Sequence, residues 1–446
     1  MSVDAKPPLH KVLIIKPPPA FTIHESEFSQ HFHFIKASDS PLPLPNFLAA
    51  ANSAGITALL ASGHVPLNAR DVFDYIPNLR CIVTTTAGLN QIDLPECRRR
   101  GIAVASAGDS YSVDCADHAV ALLIDVLRKV TAGDGFLRRG GWTDKREYCL
   151  GNRAYDSPLS LPEYLAATNS SGVTAMLIGG HVPITAADVL DHLPNLRLLV
   201  ITIIAGLNHI DLEESGHRGI AVSYADDAYS DDCADFAVAL FINHLHKVSA
   251  GDRFVRRGDW CSTDGLYCLG HRLKGKKIGV VGLGSIGCRI AKRLEALGCK
   301  ILYNSRKEKP SVSYPYYSDI HELAANSDAL VLSCALTDET RHMINKEVLT
   351  ALGKEGVIIN IARGPIIDEN ELVRFLVEGK IAGAGLDVFE KEPNVPKELL
   401  AMDNVVLSPH AAYLTHESFR DVFEFAKGNL QAFFSNKPLL SPVMDG

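Results

Sequence analysis

Three glycines in Gly282-Leu283-Gly284-Ser285-Ile286-Gly287 have the spacing needed to hold a dinucleotide pyrophosphate. The first makes a tight turn, the second lets backbone approach phosphate, and the third lets a helix pack against a strand. The context agrees: the apolar run Lys277 to Val281 precedes the loop, and a helical stretch, Cys288 to Leu297, follows it. The first turn of that helix, with Ser285 and Ile286, then presents unpaired N–H groups and a partial positive charge to the phosphates.

A second strand, Lys300 to Tyr303, leads into Asn304-Ser305-Arg306-Lys307. An acidic residue at such a strand end accepts from a ribose 2′-hydroxyl, and none is present. Ser305 and Arg306 suit a 2′-phosphate instead, because a guanidinium binds phosphate through charge-assisted hydrogen bonds. NADP(H) is favoured over NAD(H). The plain alternative is a solvated basic loop, since Glu308 and Lys309 follow.

Three further segments place polar groups after apolar runs: Val357 to Pro365 with Arg363, Ala384 to Pro393 with Asp387 and Glu392, and Val405 to Ala412 with His410. Residues that follow strands gather at strand carboxyl ends, where open α/β sheets bind ligands. The elements that must position them are alternating strands and helices, which imply a doubly wound parallel sheet with a second, smaller flavodoxin-like domain.

At 446 residues the chain has room for two or three domains. Hydrophobic residues make up 47% and charged ones 22%, with a net charge of −8, which argues against nucleic-acid or acidic-membrane binding. Ten cysteines show no zinc spacing, so no metal is expected and reduced thiols in the cytoplasm are. No apolar run is long enough to span a bilayer.

The first two-thirds repeats itself. Asp39-Ser40-Pro41-Leu42 and Gly63-His64-Val65-Pro66 return 117 residues later. Ala87-Gly88-Leu89-Asn90, Asp114-Cys115-Ala116-Asp117 and Trp142 return after 118. Within the first copy, strands are expected at Ala58–Ala61, Cys81–Thr85 and Ile102–Ala105, and helices at Leu48–Ser53, Ala69–Tyr75 and Leu94–Arg99. Two preceding strands, Lys11–Ile15 and His31–Ile35, occur only before the first copy. The second lacks a central strand and would expose an apolar edge at Ala175–Ile178. Three resolutions are open: the first copy folds whole beside a fragment, the second captures the N-terminal strands, or the chain is a fused product of neighbouring duplicates. The last is the favoured origin. The expected divisions are 1–110, the first substrate-domain copy; 111–155, a duplicate of the linking helix and loop; and 156–224, a partial second copy. Then follow 225–412, the NADP-binding Rossmann domain, and 413–446, the C-terminal return.

With the glycine loop, the three strand-end segments resemble the D-2-hydroxyacid dehydrogenase family. Ser305-Arg306 makes the chain most similar to its plant-type, NADPH-preferring glyoxylate/hydroxypyruvate reductases. The resemblance implies that Arg363 holds a 2-keto acid substrate, that His410 donates the proton, and that Glu392 raises the His410 pKa. It implies that Leu336 and Thr340 line the far side of the cofactor, and that Ile361 and Asp387 lie near the nicotinamide. It implies a homodimer using the linking helix Ala234 to Val248. Substrate carboxylate would meet backbone N–H groups at Ala87-Gly88 or at Ala205-Gly206. Connectivity favours the second pair, but the run from Pro194 to Gly206 is one residue longer than that from Pro77 to Gly88. A one-residue slip reverses which side chains face inward. The competing reading is therefore a cofactor-binding homologue without turnover.

Overall fold

The computed structural model describes residues 9–50, 55–62, 66–86, 89–107, 112–142, 172–178, 184–202, 207, 210–225, 227–262 and 269–443. The chain divides into two compact units, Met1–Ala116 and Asp117–Gly446.

The N-terminal unit is a five-stranded parallel sheet of β1 (His10–Ile14), β2 (Phe32–Lys36), β3 (Ala58–Ala61), β4 (Cys81–Thr84) and β5 (Ala103–Ser106). Its order is β2-β1-β3-β4-β5. Helices α1 (Pro19–Phe28), α2 (Leu44–Ala50) and α3 (Leu94–Arg100) connect the strands. Leu13, Leu59, Phe73 and Ile82 fill its core. Helix α3 shows both expected end signals: the Asp93 carboxylate accepts the Glu96 N–H, and Gly101 closes the helix at φ 68°. The helix expected over Ala69–Tyr75 is instead a turn followed by a single 3-10 turn, Phe73–Tyr75. Asn68 bonds both the Asp71 N–H and its carboxylate, which caps a turn that runs on only as far as Tyr75. Pro77 then prevents its extension. Helix α1 was not anticipated; Pro19 supplies its first position, and Phe21 packs edge-on against Phe34.

In the C-terminal unit, α4 (Ser112–Arg128, of which Asp117 onward lies here) and α5 (Val130–Arg138) precede a small parallel sheet. Its strands are β6 (Ala175–Ile178), β7 (Leu198–Ile201) and β8 (Ala221–Tyr224), in that order, with α6 (Leu212–His217) between the last two. Thus β1 stays paired with β3, the first copy is whole, and the second is a three-stranded fragment. Among the described residues nothing pairs with the outer edge of β6, and Leu177 is exposed there. The opposite edge is covered: Val443 N–H donates to the Val222 carbonyl and Ser223 Oγ to that of Ser441.

Two helices follow, α7 (Ser230–His246) and α8 (Val248–Arg256). The linking helix expected to run on to Val248 breaks at Lys247, which sits at φ 55°. The Asn243 carboxamide accepts the Ser249 N–H and starts α8 separately. The large sheet then comprises β9 (Lys277–Val281), β10 (Lys300–Asn304), β11 (Ala329–Leu332), β12 (Val357–Asn360), β13 (Gly383–Leu386) and β14 (Val405–Leu407). All pairs are parallel, in the order β10-β9-β11-β12-β13-β14. Strands β11 to β14 are buried throughout, as parallel strands covered on both faces must be. Helix α9 (Ser285–Ala296) follows β9 and packs on α7. The final helix, α10 (His416–Phe434), packs across β7 through Ala426 and Phe433.

Candidate active site

The glycine turn is shaped by contacts that admit no side chain. Gly282 has φ 92°, and a Cβ there would lie 2.6 Å from the Cys334 backbone. At Gly287 a Cβ would meet the Gly282 carbonyl at 2.1 Å. Gly284 differs: a Cβ would meet nothing within 4 Å, so the backbone is bare where a phosphate must approach. Helix α9 starts there without a side-chain cap, leaving its first N–H groups open to an anion. The Ser285 hydroxyl is engaged with Asp227 and receives the Arg289 guanidinium at 2.6 Å. That hydroxyl and the Arg289 charge hold Asp227 below the usual carboxylate range, against the effect of burial.

Beside this turn, the Gly282 N–H donates to the Asn304 carbonyl at 2.9 Å, bringing the end of β10 to the same sheet edge. Asn304 donates to the Tyr317 carbonyl, and Ser305 Oγ to that of Lys307. Arg306 is exposed, and its charge helps to hold Glu339 below the usual carboxylate range. After β11, Thr340 Oγ1 donates to the Ala335 carbonyl, closing a turn that carries the partly buried Leu336.

At the ends of β12, β13 and β14 the remaining groups converge. Ile361 and Ala362 are buried beyond β12, and Asn360 shapes the turn by accepting the Ala362 N–H and donating to the Arg363 carbonyl. Burial disfavours the Arg363 charge, opposed by Tyr224 at the end of β8 and by Glu392. Glu392 accepts from the Phe389 N–H at 3.1 Å and lies 2.9 Å from His410 Nδ1 through its other oxygen. Burial alone would depress the imidazole pKa; the Glu392 hydrogen bond and charge, with Asp387, outweigh it and raise the pKa. A carboxylate-held imidazole of this kind can carry and release a proton.

Asp387 is fully buried and organises this loop. Its oxygens accept from Ser408 Oγ at 2.5 Å and from the Ala411 and Ala412 N–H groups at 2.7 and 3.0 Å. The His410 N–H donates to the Asp387 carbonyl, holding His410 at φ 54°. A left-handed non-glycine residue costs about 1–2 kcal/mol and persists only where its surroundings over-determine it. The Tyr413 ring meets the imidazole edge-on.

Sequence reading missed Asn360, Ser408, Tyr413 and Tyr224. Asn360 and Ser408 adjoin strand ends and could have been read as turn-shaping groups. The tyrosines had no local signal. The backbone positions expected to meet substrate, Ala87, Gly88, Ala205 and Gly206, lie outside the described residues. No helix among those residues is long and apolar enough to cross a membrane.

A family model described as D-isomer specific 2-hydroxyacid dehydrogenase, NAD binding domain, matches residues 238–412, and the catalytic-domain model of the same family matches 23–178. A glyoxylate/hydroxypyruvate reductase of Arabidopsis thaliana is 54% identical over 284 residues, 64% of this chain and 87% of that protein. Hydroxyphenylpyruvate reductase of Plectranthus scutellarioides is 47% identical over 258 residues, 58% and 82% of the respective chains. The crystal structure of an NADPH-dependent glyoxylate/hydroxypyruvate reductase from Sinorhizobium meliloti shares the fold, with a TM-score of 0.51 at 24% identity over 97% of this chain and 96% of that one. Both domain models match in order and a relative is spanned over most of its length, so the chain belongs to the D-isomer specific 2-hydroxyacid dehydrogenase family.

Proposed function

We propose that this chain reduces a small 2-keto acid, glyoxylate or hydroxypyruvate, to the 2-hydroxy acid at the expense of NADPH. The observation that carries the reading is the His410–Glu392 pair, held at the carboxyl edge of the sheet that bears the glycine turn. A reduced nicotinamide supplies the hydride that the carbonyl carbon accepts. Gly282, Gly284, Ser285, Ile286 and Gly287 receive the pyrophosphate, Ser305 and Arg306 the 2′-phosphate. Leu336, Thr340 and Ile361 flank the cofactor. Arg363 binds the substrate carboxylate and stabilises negative charge growing on the keto oxygen. His410 delivers the proton to that oxygen, and Glu392 keeps it charged. Asp387, with both oxygens committed to residues 408–412, positions His410. The second copy supplies the substrate wall, supported by the electrostatic influence of Tyr224, at the end of β8, on Arg363.

Steady-state assays with NADPH and glyoxylate, hydroxypyruvate and 4-hydroxyphenylpyruvate test the reading. Turnover of either of the first two is expected, with lower efficiency for the aromatic acid. NADPH binding with no turnover of any of them would overturn it in favour of a catalytically impaired homologue, a reading that the uncovered β6 edge favours.

Arg306→Ala should weaken NADPH by roughly tenfold, the scale of one charge-assisted phosphate contact, and leave NADH within about twofold. Equal losses for both cofactors would remove the 2′-phosphate role. Glu392→Gln should lower the His410 pKa, because the charge that opposes burial is gone. Keto-acid reduction needs the protonated imidazole, so its fall with rising pH should move to lower pH. An unmoved pH profile would show that Glu392 does not tune the donor.

A further inference from the structure

The two copies of the helical hairpin, α4–α5 and α7–α8, pack against each other. Their equivalent residues, 118 apart, form contacts that are reciprocal. Thr131 Oγ1 lies 3.0 Å from Ser249 Oγ, and these two occupy the same position in the two copies. His118 meets His246 at 5.5 Å between ring centroids, while Arg128 lies over the Phe236 ring at 5.2 Å. His118 corresponds to Phe236, and Arg128 to His246, so each contact is the exchange partner of the other. Self-meeting positions with swapped pairs are the signature of an isologous, two-fold contact. The local structure agrees: both hairpins turn at a lysine, Lys129 at φ 54° and Lys247 at φ 55°. In both, the residue at the same place, Asp125 or Asn243, caps the following helix.

The copies differ in what lies behind them. Leu123 and Leu127 of α4 are 60% and 68% exposed, whereas their counterparts Phe241 and Leu245 of α7 are 0% and 1% exposed. Among the described residues, helix α7 packs on the large sheet with that face, and no sheet covers the same face of α4. The first hairpin is therefore half of a two-fold assembly without the body that belongs to its other side.

We propose that α4–α5 is a built-in substitute for a second subunit: it occupies, within one chain, the self-complementary face of α7–α8 that would otherwise join two chains. Tethering in one polypeptide gives the internal hairpin a high effective concentration that a second chain must overcome. The substitute also reaches the site. Arg128 donates to the Ala412 carbonyl at 2.5 Å and to that of Asp232 at 2.7 Å, bracing the loop that carries His410. Arg138 donates to the Leu400 and Val405 carbonyls, and Asp134 accepts the Leu407 N–H. The homodimer expected from the family resemblance is replaced, on this face, by an intrachain contact.

Cysteine cross-linking of the full chain tests this. Thr131→Cys with Ser249→Cys, oxidised with diamide, should form a 131–249 disulfide in molecules of single-chain mass. Peptides from a mixture of unlabelled and 15N-labelled chains should show no mixed linkage. Ser249→Cys alone should give no cross-linked dimer, because its neighbour is Thr131 and not a second Ser249. A dimer through 249–249, a mixed-isotope 131–249 linkage, or the absence of any 131–249 disulfide would each overturn the proposal.

Discussion

Replacing His410 by alanine should lower kcat for keto-acid reduction by about 10²–10⁴-fold, the range for loss of a positioned general acid. NADPH should still bind with an affinity within about twofold, because the glycine turn and Arg306 are at other strand ends. The size of the loss follows from the way the imidazole is held. Glu392 fixes Nδ1, and the backbone is locked in the left-handed region by Asp387. The neighbouring Tyr413 is a poor substitute, because burial pushes its hydroxyl above its ordinary pKa and it is a weaker acid than an imidazolium. Stopped-flow binding beside steady-state turnover separates the two effects. A variant that loses NADPH affinity while its single-turnover rate survives would exclude the donor role.

Arg363→Gln should lower kcat/KM by roughly 10³-fold, about 4 kcal/mol, typical of removing a charged partner from a developing oxyanion in a site shielded from water. Arg363 is held where burial works against its charge, so an incoming carboxylate gains a strong partner. The loss should fall on kcat as well as KM, since charge on oxygen grows in the transition state and the ground state gains only the carboxylate contact. Arg363→Lys should recover only part, because an ammonium cannot present the planar two-pronged donor. If KM alone rose and kcat were unchanged, Arg363 would bind substrate without assisting the chemistry.

How much of this was legible beforehand depends on the range of the interactions involved. The glycine turn was readable because Gly282 and Gly287 answer contacts within a few residues or at the adjoining strand, as the 2.1 Å approach at Gly287 shows, while Gly284 leaves backbone bare. Arg363, Glu392 and His410 could be gathered at one edge from strand polarity alone, since parallel strands present all their carboxyl ends together. Asp387 was placed near the site, yet its part in holding the 408–412 loop depends on hydrogen bonds across two strands. The helix expected over Ala69–Tyr75 shrank to a single 3-10 turn because Pro77 follows at once and disfavours helical backbone before it.

The repeat marks the boundary between the two kinds of information. Order along the chain determined the parallel sheets, the glycine turn and the duplication of the linking-helix segment, because alternation and repeated motifs are read within short stretches. It left open which copy would keep the N-terminal strands. Folding decided that β1 pairs with β3, that the C-terminal segment seals β8, and that the two hairpins meet face to face. Those outcomes depend on burial and edge pairing between segments far apart in sequence, where the same residues can serve in either copy and only their three-dimensional neighbours distinguish them.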